Sequence, residues 1–270
     1  MARQKGLIKL SGTDKRSGTV FVESKYGVHT RAQPKAGARK NDPVLKKQYS
    51  RNSSLNLLAA DIKNAINLYA PHFPPTGMYH SLLSYFRKEP SAVRVLLLDE
   101  LMDMEVHPKY AFSGICDDRA CTVKFSNTRI VAELNLEQHA YRTDRCNCYF
   151  LEVVVLNWHS DANRCIHACK KTAWISMNDD LPLYCDLVFE LAAKVTDHLV
   201  LLRCVRGFNN EADGTFPMQA MKVVAVGSMD KKAATLLKEK RAMKQQLRAM
   251  VTKKKKPAPE ERVAMKKGKR

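Results

Sequence analysis

Cys121-Thr122-Val123-Lys124-Phe125 and, a few residues on, Ile130-Val131-Ala132-Glu133-Leu134-Asn135-Leu136 are the runs that decide the fold. Apolar side chains recur at every second position in both, the period of a strand with one buried face. Tyr149–Trp158 follows as a mostly apolar run and Thr172–Met177 as a short one, and Leu183, Cys185, Leu187, Phe189 and Leu191 share one face. Leu199–Val205 and Met221–Val226 complete the set, with turn signals at Asn209-Asn210 and Asp213-Gly214. No helical period alternates with these strands, so an antiparallel β-sandwich is expected rather than a parallel sheet. The longest apolar runs, Val153–Leu156 and Leu199–Leu202, have the length of buried strands. Both fall far short of the ~18–20 apolar residues of a membrane span.

Upstream of Tyr110 the period is helical. Asp42 offers an N-cap and Pro43 a first helical residue, and Leu45, Tyr49, Leu55, Leu58, Ile62, Ile66 and Tyr69 recur at three- to four-residue spacing until Pro71. Met78–Arg87 and Ser91–Met102 read as two more helices, parted by Pro90. Earlier still, Thr19–Glu23 and Val28–Arg31 flank Ser24–Gly27 as a small hairpin. After Gly227, Asp230 caps a helix to about Val251, with Ala233, Leu237, Met243, Leu247 and Met250 marking one side. The expected organisation is therefore α+β: a basic hairpin arm (1–42), a helical segment (43–104), a β-sandwich (105–227), a basic helix (228–252) and a Lys-rich tail (253–270). The tail has too little apolar surface to offset its ordering entropy, so it is expected to be disordered until it meets a partner.

Constellations that could carry chemistry are weak. Cys146-x-Cys148 and Cys165-x-His167-x-Cys169 hold ligand-type residues. On a strand, Cys165, His167 and Cys169 would face one side, but the Cys-x2-Cys spacing of a zinc knuckle is missing. The eight cysteines are read as reduced, mostly buried thiols. Asp117-Asp118 and Asp179-Asp180 read as turn residues, His159 and His198 as structural histidines. No Gly-rich phosphate loop or nucleophile elbow occurs, so no cofactor is expected and an enzyme has no positive support.

The charge layout says more. Residues 1–51 carry 13 Lys and Arg against 3 Asp and Glu, residues 228–270 carry 16 against 4, and the 176 residues between carry 17 against 20. A near-neutral body thus joins two basic segments, and clustered cations find their usual acceptor in a polyphosphate backbone. The candidate phosphate contacts are Lys25, Arg31, Lys35, Arg39, Lys40, Lys46, Lys47 and Arg51 in the first segment. In the second they are Lys240, Arg241, Lys244, Arg248, Lys253, Lys254, Lys255 and Lys256. Phe21, Tyr26 and Tyr49 are interleaved with the first set, the composition of a single-strand or RNA surface. The same aromatics would equally serve to pin the hairpin to the body. An acidic or assembly partner and a plain solubility role are rival uses of the charge, and a membrane partner is not expected.

Leu10-Ser11-Gly12-Thr13, Val20-Phe21-Val22, Tyr26-Gly27-Val28 with Arg31, Asn41-Asp42-Pro43 and Arg51-Asn52 carry a resemblance, joined by Asp213-Gly214-Thr215-Phe216 and Ala220–Val224. Together they resemble an uncharacterised bacterial family with an N-terminal hairpin, a long helix opening at a proline and a C-terminal sandwich. The resemblance implies a layout and no activity, and the Lys-rich extension departs from it. The expected function is a cytoplasmic, non-enzymatic, sequence-tolerant protein binding DNA or RNA. The rivals are a structural subunit of a phage-like or mobile-element particle and a metal-dependent enzyme.

Overall fold

The computed structural model describes residues 12–14, 19–24, 27–32, 43–117, 119–160 and 165–254, with side chains over 43–117, 119–160 and 165–250. The chain divides between Ser53 and Ser54 into two compact units. In the first, β1 (Gly12–Asp14), β2 (Thr19–Ser24) and β3 (Gly27–Ala32) form an antiparallel sheet. β2 and β3 are the expected hairpin, in register from Thr19↔Ala32 to Ser24↔Gly27. A lone hairpin is marginal, and β1 adds a third strand to it. Helix α1 (Pro43–Tyr69) opens at the expected proline and runs without a break through Asn52.

The second unit holds the rest of α1, then α2 (Met78–Lys88), α3 (Arg94–Asp99), β4 (Cys121–Phe125), β5 (Arg129–Leu136), β6 (Cys148–His159), β7 (Cys165–Lys171) and β8 (Ile175–Ser176). It continues with β9 (Leu183–Glu190), β10 (Val195–Phe208), β11 (Glu211–Ala212), β12 (Gln219–Ser228) and α4 (Lys231–Lys254). Every pairing is antiparallel. In the larger sheet β10 lies between β6 and the strands β11 and β12, while β7 and β8 pair with the far edge of β6. The smaller sheet has the order β4-β5-β9.

The two sheets pack face to face, Ile130, Leu134 and Phe189 from one meeting Leu151, Val153, Val200 and Leu202 from the other. Their edges approach on both sides, β12 beside β4 and β7 beside β9, giving a curled half-barrel. The other face of the larger sheet is covered as well. Val154, Leu156, Trp158, Leu199, Leu201 and Val223 pack on Leu58, Ile62, Leu82, Phe86 and Leu98 of the helices. A two-layer sandwich was the expectation; a third, helical layer completes it. β6 and β10 are therefore buried on both faces, which is why their runs lose the alternation that β5 keeps. One polar row crosses this face: Arg203 Nη1 donates to Glu152 Oε2 at 2.9 Å and Nη2 to Gln219 Oε1 at 2.7 Å. Nη1 also donates to the Tyr69 carbonyl, which ties the end of α1 to three strands.

Three elements differ from the sequence expectation. α3 is shorter than Ser91–Met102. Glu89 Oε1 accepts the Ser91 amide and Ser91 Oγ the Val93 amide, which holds the chain extended before Arg94. At the other end Asp103, at φ 61°, turns its amide to the Val223 carbonyl of β12. β7 gave no apolar signal because it is an edge strand with much of its surface in solvent. β11 is a two-residue return from the turn at Asn209 and Asn210, whose φ values of 51° and 65° suit a primed hairpin turn. Gly207 is needed beside it, since a Cβ there would run into the Glu211 carbonyl oxygen.

Candidate nucleic-acid interface

α4 starts on a well-made cap. Asp230 Oδ1 accepts the amides of Lys232 at 2.7 Å and Ala233 at 3.1 Å, satisfying two of the first-turn donors. One turn on, Leu237 is buried against the helical layer. The next turn carries the charges singled out from sequence, and three of them point at carboxylates. Lys240 Nζ bonds Glu89 and reaches Glu100 Oε1 at 2.7 Å and the Leu96 carbonyl at 2.8 Å. Arg241 Nε donates to Asp99 Oδ1 at 2.7 Å and Nη2 to the Val226 carbonyl at 3.1 Å. Lys244 Nζ lies 3.0 Å from Glu100 Oε1 and 3.4 Å from Asp99 Oδ2.

Asp99 and Glu89 are buried, which makes the set a clamp and not a surface ornament. Burial by itself would raise the Glu100 carboxyl, but the hydrogen bonds from Lys240 and Lys244 outweigh it and the net shift is downward. Burial likewise works against the charge on Lys240, and Glu100 and Glu89 more than restore it, so its ammonium titrates higher than usual. The charges of Lys240, Arg241 and Lys244 are thus largely spent inside the molecule. Arg248 lines a groove of about 470 Å³ beside the clamp, with Asp99, Met102 and Asp103. Lys253 and Lys254 continue the helix, while Lys255 and Lys256 lie outside the described residues.

The other predicted contacts belong to the first unit. Lys46 and Lys47 are exposed on the first turns of α1 and Arg51 is half-buried there; Arg31 lies in β3. Lys25, Lys35, Arg39 and Lys40 lie outside the described residues. Of the aromatics, Tyr49 is 68% exposed, Phe21 lies in β2, and Tyr26 is outside the described residues.

The face of α4 expected to be uniformly apolar is split. Ala233 and Leu237 pack on the core, whereas Leu236, Met243, Leu247 and Met250 form a separate, solvent-facing stripe. Ala233 and Leu237 share the arc of the helix that carries Lys240, Arg241 and Lys244, and the stripe lies on the adjoining arc. Simple apolar counting missed this division.

Elsewhere the chemistry is structural. Cys165, His167 and Cys169 do share a side of β7, but spaced along a strand they do not converge. Among the described residues no three His, Cys, Asp or Glu side chains gather as a metal group would require. His167 Nδ1 instead pairs with the Tyr69 hydroxyl at 2.8 Å. All eight cysteines are free, and burial pushes the thiols of Cys121, Cys165 and Cys169 up to about 12, leaving them poor nucleophiles. His198 is buried with Nδ1 bonded to Asn157 Oδ1 at 2.7 Å, its ring stacked on Phe125. Nε2 has no hydrogen-bond partner, and burial holds the ring neutral with a pKa of about 4. Asp117 and Asp179 accept the Arg119 and Ser176 amides, as turn residues do. A recess of about 170 Å³ between α1, α3 and Trp158 holds Asp61, whose Oδ2 accepts the indole N–H at 3.2 Å. Burial raises the Asp61 carboxyl despite Trp158 and Arg94 nearby. Ser54 and Arg94 line the recess with it, and no second carboxylate or imidazole does.

No helix among the described residues is long and apolar enough to cross a membrane. Comparison with known proteins returns no match to a family, to a curated protein or to a solved structure.

Proposed function

We propose that the chain is a non-enzymatic, sequence-tolerant nucleic-acid-binding or nucleoprotein-associated protein that contacts DNA or RNA phosphates with its basic segments. The observation that carries this reading is the segregation of charge: 13 against 3 and 16 against 4 flank a middle of 17 against 20. The clamp refines it. Lys240, Arg241 and Lys244 are assigned to rooting α4 on the body, so phosphate contact falls to Lys253–Lys256 and the cations beyond. Lys46 and Lys47 serve at the start of α1, where the positive end of the helix dipole adds to anion binding. Tyr49, exposed between them and Arg51, suits base stacking better than pinning. The proposed setting is the cytoplasm, where eight free thiols stay reduced. The resemblance to a bacterial family supports the layout and adds no chemistry.

A second reading, an assembly subunit, is favoured by the solvent-facing stripe on α4. The two part experimentally. Fluorescence anisotropy against single-stranded DNA, RNA and duplex DNA over a salt series should show affinity falling steeply as salt rises, with little dependence on base sequence. Absence of salt-dependent binding to all three would remove the nucleic-acid reading and leave the assembly one.

A further inference from the structure

Leu236, Met243, Leu247 and Met250 are 42%, 64%, 56% and 61% exposed. Their spacing of seven, four and three residues puts them on one line along α4. At 1.5 Å per residue that line is about 21 Å long. The helix cannot roll to hide it, because Leu237 and the Lys240–Arg241–Lys244 clamp fix the neighbouring face on the body. We infer that this stripe is a docking surface for an acidic amphipathic helix of a partner protein.

Charge selects the occupant. Of the nine Lys and Arg of α4, three are closed on Glu89, Asp99 and Glu100, which leaves six against the single carboxylate of Glu239. A second α4 laid along it, parallel or antiparallel, would bring like charges together. Residues 1–51 and 253–270 of the same chain are basic too and are repelled in the same way. The stripe begins beside Lys232, and Lys253 and Lys254 follow it in the last turn of the helix, so a partner with carboxylates at the two ends of its apolar line is matched there. Shape selects a helix: a straight apolar line between helical ridges accepts another helix, and methionine adapts to imperfect packing. The line is only about 60° wide at 100° per residue, narrower than the apolar face of a helix that lies in lipid. Phosphates gain nothing from methionine and leucine.

The test uses the full chain and a labelled 21-residue peptide of three heptads, with Leu at the two core positions and Glu flanking them. At neutral pH its glutamates keep it from pairing with itself. Controls are the same peptide with Lys for Glu, a scrambled Glu and Leu peptide, phosphatidylserine vesicles and a single-stranded polynucleotide. The expected result is saturable binding of the Glu peptide, with the Lys and scrambled peptides weaker by ~10-fold or more. The triple variant Met243→Gln, Leu247→Gln, Met250→Gln should weaken it by a similar factor while leaving melting temperature and polynucleotide binding unchanged. Equal binding of the scrambled peptide, or of the triple variant, would overturn the inference. So would stripe-dependent binding to vesicles without binding to the peptide, or a two-chain mass that the triple variant reduces to one.

Discussion

Two stretches of similar composition behave differently. Lys46, Lys47 and Arg51 at the start of α1, and Lys240, Arg241 and Lys244 on α4, are both tight clusters of cations on helices. The first pair of lysines is exposed; the second cluster is closed on Glu89, Asp99 and Glu100. Composition cannot distinguish them, because the carboxylates of the clamp are 140 to 151 residues away in sequence. A charge run marks where cations are, and only the fold says which of them are already neutralised.

The largest effect should come from breaking the clamp. Lys240→Ala leaves Glu89 and Glu100 facing each other with burial around them, at a cost of about 3 kcal/mol in urea unfolding. The matched change at the other cluster, Lys46→Ala with Lys47→Ala, should stay within ~0.5 kcal/mol. Similar losses at both sites would erase the contrast. Removing the cap of α4 by Asp230→Ala should fall between them, about 1 kcal/mol, with hydrogen exchange quickening first in residues 231–236.

Acid separates the clamp from the core. The folded His198 titrates at about 4 against an ordinary 6.5. The unfolded chain therefore takes up this proton first, and stability declines as pH falls from 6.5 toward 4. Glu100 is shifted the other way from a raised carboxyl: it stays ionised below its ordinary 4.5. Its contribution is fully present above 4.5 and is lost only as pH drops through the lower folded value. Stability measured by urea unfolding should thus decline from pH 7 to 5 while the protection of α4 amides relative to the sheet is kept. His198→Leu should flatten that decline; an unchanged slope would assign it to other groups.

What was legible followed from local physics. β5 was readable because one face is wet, and α1 because Pro43 and the periodic leucines agree with its span. Asp230 announced its cap in the same way. The helical layer over the sheet was not read out, although the unalternating Val153–Leu156 and Leu199–Leu202 carry its mark. β7 stayed hidden because an exposed edge strand needs no apolar pattern. The clamp and the split of the α4 stripe depend on long-range pairing that no window of sequence contains.

The most direct test compares salt slopes of single-stranded DNA binding. In one variant Lys253, Lys254, Lys255 and Lys256 become Gln; in the other Lys240, Arg241 and Lys244 become Gln, measured at a temperature where circular dichroism shows both folded. The slope of log affinity against log salt counts neutralised phosphates, so the first variant should lose about 3 from it and the second less than ~1. A wild-type chain without salt-dependent binding, or a clamp variant losing as much slope as the tail variant, would contradict the account.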